Sequence, residues 1–464
     1  MRKRSTLKFI TAAALSILLL IGSSSPLIAG TVGQAKLSGN GKTVKNVILL
    51  ISDGWGYNQI LATDFYTNGK SGTQVYEKFP TKVAMSTYSL EGEGTADDNF
   101  GYYNPSTIWE NFEQMKLFST DSASAGTAMS TGEKTYDAAI GVDQDKQELD
   151  HIARDFENLG RATGVISSVQ LSHATPASFV AHNVSRNNYS ELANEMILES
   201  ATDVIMGAGH PNYDDSGSLR SAPDYRYVGG DSTWQGLVLG TLETSDADAD
   251  GINDPWTLIQ SKEAFETMQF GETPERVIGV PMVATTLQQA RRGVGTGDAY
   301  AVPFNTNVPS LAVMTRAALN VLDNDPDGFF LMIEGGAIDW AGHANQSGRL
   351  IEEQIAFNHA VDAVCAWVNE YSNWSETLVI VTGDHETGYL TGTPGVYDDV
   401  DNNGKGNMPK MAWNSGDHTN QLIPLFARGV GAEIFKKLAD MTDPIRGKYM
   451  DNTEISKAIR SLIG

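Results

Sequence analysis

The chain has 464 residues, 41% hydrophobic and 19% charged, with 33 Lys and Arg against 57 Asp and Glu for a formal net charge of −24. This composition carries a sizeable core and excludes a disordered, low-complexity chain. The surplus of acid excludes nucleic acid as a binding partner.

The N-terminus, MRKRSTLKFITAAALSILLLIGSSSPLIAG, puts Arg2, Lys3, Arg4 and Lys8 before an apolar run over about residues 9–21, followed by small residues up to Ala29. This reads as a signal peptide over residues 1–29 and predicts export to the periplasm or the extracellular space. The run is short for a membrane span of ~20 residues, and Thr11 and Ser16 interrupt it. NVILLIS, 46–52, is apolar on both faces like a buried parallel strand, and it runs straight into Asp53.

Next comes FSTDSASAGTAMSTGEKTY, 118–136, where Ser122 follows an acid and opens a run of small residues. A helix starting at Ser122 would turn free N–H groups and a favourable dipole toward an anion, and the small side chains would allow close packing. QELDHIARDFENLG is helical and closes on Gly160. TGVISS, 163–168, is a strand leading into a loop with His173 and Thr175, and SELANEMILES is helical again. Over about 207–302 the pattern dissolves into Gly, Asp, Pro and aromatic residues. This stretch reads as an insertion within one domain, 30–464.

The helical patterns SLAVMTRAALNVL and RLIEEQIAFNHAVDAVCAWVNEY then alternate with FFLMIEG (329–335), TLVIVTG (377–383) and LIPLFARG (422–429), all three read as buried parallel strands. The alternation predicts an α/β fold, a three-layer α/β/α sandwich around a large, mostly parallel sheet. Such sheets bind ligands at the carboxyl ends of their strands, where this chain places Asp53, the loop of His173 and Thr175, Glu334, and Asp384 with His385. Cys365, the one cysteine, permits no internal disulfide and reads as a buried, inert thiol.

Three of the eight histidines lie beside or close to carboxylates: EGGAIDWAGH holds Glu334, Asp339 and His343, GDH holds Asp384 and His385, and SGDH holds His418. Imidazole mixed with carboxylate suits zinc, whereas carboxylate with hydroxyl suits magnesium.

TDSASAGTAMSTG, ISDGWG, SHATPASFVAHNVSR, IEGGAIDWAGHANQ and VTGDHETGYLTG resemble the signature segments of the alkaline phosphatases, spread from about residue 44 to 430. The resemblance implies hydrolysis of phosphate monoesters, with Ser122 as the phosphate-accepting nucleophile and Arg186 holding the substrate phosphate. It implies one Zn2+ bound by Asp339, His343 and His418, and a second bound by Asp53, Asp384 and His385 with Ser122 alongside. Asp53 would bridge to one Mg2+ that also meets Thr175 and Glu334. A homodimer is a further implication. Two zinc ions about 4 Å apart can hold the attacking and leaving oxygens of an in-line displacement. A guanidinium fork such as that of Arg186 can hold two phosphate oxygens at once.

The family's best-known bacterial branch has Asp and Lys where this chain has His173 and Trp340. His173 is expected to hold a water on the magnesium as an indirect partner, and Trp340 to line the substrate pocket. A phosphodiesterase or related transferase of the same superfamily is the alternative reading. From a different class comes a calcium-dependent surface or adhesion protein, suggested by DADADGIND. There Asp246, Asp248, Asp250 and Asp254 match positions 1, 3, 5 and 9 of a Ca2+ loop, although Thr257 stands where the loop wants Glu. DVDNNGKG, from Asp399, is a fainter echo with Lys410 at that position.

Overall fold

In the computed structural model, residues 43–90, 103–242, 244–245 and 253–463 are described. The expected leader 1–29 and Asp246, Asp248 and Asp250 of the acidic loop lie outside them. Fifteen strands occur among the described residues: β1 (Asn46–Ser52), β2 (Thr81–Ser86), β3 (Ala162–Gln170), β4 (Val204–Ala208), β5 (Thr257–Ile259), β6 (Val277–Gly279), β7 (Phe329–Gly335), β8 (Thr377–Gly383), β9 (Glu386–Thr387), β10 (Leu390–Thr391), β11 (Ala412–Trp413), β12 (His418–Thr419), β13 (Ile423–Gly429), β14 (Met441–Asp443) and β15 (Gly447–Asp451). Eleven of them form one sheet in the order β14-β15-β2-β13-β8-β1-β7-β3-β4-β6-β5, and β9 with β12 and β10 with β11 form two short ribbons.

Every residue of β1 is buried, with Val47, Leu49 and Ile51 in one apolar cluster and Ile48 and Leu50 in another. A strand that feeds two clusters by alternation belongs to a sheet covered on both faces, which is the three-layer α/β sandwich. The first cluster is closed by Ala123 and Met129 of the helix Ser122–Thr131, Ile152 and Phe156 of Ile152–Asn158, and Ile455 and Ile459 of Glu454–Ile463. The second is closed by Leu311 and Met314 of Leu311–Leu322 and by Leu350, Phe357 and Val364 of the 25-residue helix Ser347–Tyr371. Cys365 is buried on that long helix, and burial pushes its thiol up to about 12. Among the described residues no helix is long and apolar enough to cross a membrane.

From β8 to β5 the sheet is parallel throughout, as its apolar runs predict. The expectation of a parallel LIPLFARG strand fails, because β13 runs antiparallel to both β8 and β2. The chain between β8 and β13 holds only short strands and loops. With no crossover helix to carry it back, the chain returns in the opposite direction. Within residues 207–302, β5 and β6 add to the edge of the sheet next to β4, and the helices Asp231–Leu239 and Lys262–Met268 flank them.

Candidate active site

Ser122 is the first residue of its helix. The Asp121 carboxylate caps the helix by accepting the Ser124 N–H at 2.9 Å, which fixes where the turn begins and turns the serine toward the carboxyl ends of the strands. The run of small residues has a steric reason. A Cβ on Gly126 would sit 2.3 Å from Ser178 Oγ and 3.1 Å from Ser178 Cβ, so a side chain there would push against the segment that carries Thr175. Gly54 does the same for the loop after β1: its φ is +73°, and a Cβ there would lie 2.6 Å from the Asp339 Cα.

The predicted ligands converge from these elements into overlapping groups, each with donor atoms within 4.8 Å of one another: Asp339 with His385 and His418, Asp53 with Asp384 and His385, and Asp53 with His173 and Glu334. His343 joins the first, its Nε2 lying 3.4 Å from Asp339 Oδ2 and 3.0 Å from His418 Nε2. Ser122 Oγ lies 3.2 Å from His385 Nε2, which is 3.3 Å from Asp384 Oδ2 and 3.6 Å from Asp53 Oδ1. Asp53 thus sits between two groups. His173 brings a ring nitrogen as near to the Asp53 and Glu334 carboxylates as a direct ligand would need.

The surrounding hydrogen bonds set the tautomers. His343 Nδ1 faces Gly416 O at 2.7 Å and His418 Nδ1 faces Thr120 O at 2.8 Å. Both rings therefore carry a proton on Nδ1 and turn Nε2 toward each other. Thr387 Oγ1 donates to Asp339 at 2.5 Å and accepts from His385 Nδ1 at 3.3 Å, so His385 Nε2 is free to bind at the serine. Lone pairs opposed at 3.0 Å repel unless a cation or a proton lies between them.

Buried oxygens say the same. Both carboxylate oxygens of Asp53, Asp384 Oδ2, Glu334 Oε1, Thr175 Oγ1 and His173 Nδ1 have no hydrogen-bond partner. Burial, followed by the charges of Asp384, Asp339 and Glu334, drives the Asp53 carboxyl far above its ordinary range. Burial also lifts Glu334 to about 7, against a Ser167 hydrogen bond, and Asp384 to about 6 with the help of the Asp339 charge. For Asp339 burial pulls upward, yet the His418 hydrogen bond and the surrounding imidazoles together hold it far below. His418 is raised to about 9 by Asp339 in spite of burial, and burial with the Arg186 charge lowers His173 to about 3. Four carboxylates so close in a dry site, with imidazoles among them, form candidate metal-binding groups.

In front of this centre opens a cavity of about 550 Å3, lined among others by Ser122, His173, Arg186, Asp339, Trp340 and His418. Trp340 is thus placed on the pocket wall, 6.0 Å ring to ring from His173. Arg186 Nη1 donates to Asp121 Oδ2 at 2.8 Å, and its Nη2 lies 3.4 Å from His173 Nε2. Burial opposes the guanidinium charge, but Asp121 more than restores it. Sequence reasoning missed Asp121 as the group aiming Arg186, Thr387 and Ser167 as partners of the buried acids, and Gln289 on the pocket wall. For Asp121 a signal was present, an acid directly before the serine.

Asp254, the one described member of the acidic loop, uses its carbonyl to accept from Thr244 Oγ1 at 2.6 Å and Arg276 Nη1 at 3.1 Å. In the fainter echo, Lys410 pairs with Asp401 at 2.9 Å, so the chain's own ammonium occupies that turn.

A protein-family model described as alkaline phosphatase matches residues 44–406. Alkaline phosphatase 3 of Bacillus subtilis is 30% identical over 401 residues, 85% of this chain and 72% of its own length. The structure of alkaline phosphatase from the Antarctic bacterium TAB5 matches at 30% identity with a TM-score of 0.60, covering 91% of this chain and 98% of that one. A variant of that enzyme with a histidine replaced by aspartate, and Mg bound in its M3 site, matches over the same shares at 27% identity and a TM-score of 0.60. With its sheet, its serine-headed helix and its carboxylate and imidazole groups, this chain belongs to the alkaline phosphatase family, the phosphoric monoester hydrolases.

Proposed function

We propose that the protein hydrolyses phosphate monoesters through a phosphoserine on Ser122, in a centre holding two zinc ions and one magnesium ion. The observation that carries this reading is the position of Ser122 Oγ at a helix start, 3.2 Å from a histidine nitrogen freed for binding, among buried carboxylate oxygens with no partner. Asp339, His343 and His418 would hold one zinc and Asp53, Asp384 and His385 the other, with magnesium at Asp53, Thr175 and Glu334 beside His173. The TAB5 variant with Mg in its M3 site supports giving the last group to magnesium. Bound cations would supply Lewis acidity, neutralising phosphate charge and lowering the pKa of the serine hydroxyl and of water.

Arg186, aimed by Asp121, holds two non-bridging phosphate oxygens and presents the phosphorus to Ser122. The Oγ–P bond forms as the bond to the ester oxygen breaks, and the alcohol leaves into the open cavity. Water then attacks phosphorus from the vacated side, releasing inorganic phosphate and restoring Ser122. The N–H groups of the helix start favour the anion throughout. Trp340 borders the space where the leaving group lies.

The test is hydrolysis of an aryl phosphate monoester, a diester and a sulfate, with and without chelator, together with acid quenching to trap phosphate on Ser122. Monoester preference lost on chelation, with label on Ser122, is the expected result. A dominant diesterase activity, or turnover with no trapped phosphoserine, would reject it. The leader makes the mature protein an exported one beginning near residue 30, with 207–302 inserted in a single domain. N-terminal sequencing of the exported protein checks the cleavage.

A further inference from the structure

On the sheet face away from the Ser122 helix lies a second cavity, of about 400 Å3, between the helices Leu311–Leu322 and Ser347–Tyr371 and the segment 287–310. Its walls are largely apolar, with Leu287, Phe304, Val308, Leu311 and Val313. Among them is the carboxyl of Glu353, a residue only 5% exposed whose Oε1 has no hydrogen-bond partner. The neighbouring guanidinium groups are committed elsewhere: Arg291 and Arg349 both donate to Glu352, at 2.8 and 3.3 Å. Burial first, and the Glu352 charge second, push Glu353 up to about 8, against Arg291 and the Gln289 backbone N–H. A buried carboxyl with one oxygen unpartnered is costly whether it is neutral or charged. Nothing in the phosphatase chemistry uses it.

We propose that this cavity is a binding site for a small organic cation with an apolar body, an alkyl- or arylammonium, whose charge pairs with Glu353 while its hydrocarbon fills the pocket. The volume suits such a ligand, and largely apolar walls with a few placed polar groups are the usual form of a small-molecule site. The chain's net charge of −24 draws cations toward it. At the mouth, Lys262 is turned to the Thr306 carbonyl at 3.1 Å, with Glu266 3.9 Å away to offset its charge. The ligand would lie behind the catalytic strand ends. Gly335 on the lining directly follows Glu334, and Ser168 Oγ accepts the N–H of Ala337, which opens the helix bearing Asp339 and His343.

Calorimetric titration of the full, metal-loaded protein with benzylammonium, and with benzyl alcohol as its uncharged counterpart, tests the proposal. Benzylammonium should bind wild type more tightly than the alcohol. Glu353→Gln should weaken it at least about tenfold while changing the alcohol less than about twofold. Ala356→Phe should exclude both. Inorganic phosphate should leave binding unchanged, since it occupies the catalytic cavity. Absence of benzylammonium binding, equal binding of the two compounds to wild type, undiminished binding in Glu353→Gln, or displacement by phosphate would each overturn the proposal. Should Glu353→Gln not fold, the wild-type preference and its loss in Ala356→Phe decide.

Discussion

Glu352 and Asp53 are both buried carboxylates of one molecule, but their surroundings differ. Glu352 accepts from Arg291 at 2.8 Å, Arg349 at 3.3 Å and the Tyr300 N–H at 2.6 Å, while Arg291 spends its remaining donors on the carbonyls of Gln288, Val302 and Pro303. Asp53 has neither carboxylate oxygen paired and faces three other acids. The first cluster completes its charges from within and is structural. The second leaves its demand open, which stable folds tolerate only where a ligand is to meet it.

The largest break in this contrast should come at Ser122, the proposed nucleophile of the open cluster. Ser122→Ala should cut monoester turnover by about three orders of magnitude or more while metal content, read by elemental analysis, stays near wild type, because the other donors remain. Unchanged turnover would remove Ser122 from the chemistry.

Stability measurements should then separate the clusters directly. Glu352→Gln should destabilise the protein by about 3–5 kcal/mol, with or without metal, because it strands two buried guanidinium groups. Asp53→Asn should do the opposite in chelator-stripped protein, raising Tm by relieving repulsion, and should lower Tm only once metals are restored. Equal responses of Asp53→Asn in both states would show that Asp53 does not wait for cations.

A smaller effect is expected at the rim of the open cluster. Arg186→Ala should raise KM and reduce kcat/KM by about 2–4 kcal/mol equivalent, weakening inhibition by phosphate in parallel. Asp121→Asn should follow the same direction more weakly, since it leaves the guanidinium present but poorly aimed. The mildest is His173→Asp, which adds an oxygen donor beside Asp53 and Glu334. It should tighten magnesium by about tenfold in a titration of zinc-restored protein followed by calorimetry and by activity. Superimposable titrations would give His173 no part in that site.

The residues that could be read from the sequence are those whose chemistry and place coincide. Runs apolar on both faces announced β1, β3, β7 and β8, and the acids and histidines just beyond them had one edge to occupy. The direction of β13 was hidden, because orientation depends on the connection and not on the strand's own residues. β2 escaped because TKVAMS alternates too weakly, and β5 and β6 because three residues make no pattern. The carbonyls of Thr120 and Gly416 that set the histidine tautomers carry no side-chain signal at all. Gln289 reaches the pocket from a stretch that reads only as irregular chain.

At Gly126 the Ser122 helix and the segment carrying Thr175 lie so close that a single methyl group would act as a wedge between them. A change there would displace Ser122 and the Thr175 hydroxyl together, whereas Trp340 and Gln289 line the pocket and are not among the groups that meet Gly126. Selection, natural or in the laboratory, can therefore recast what the cavity admits by altering that wall while the reaction's inner gearing stays in register.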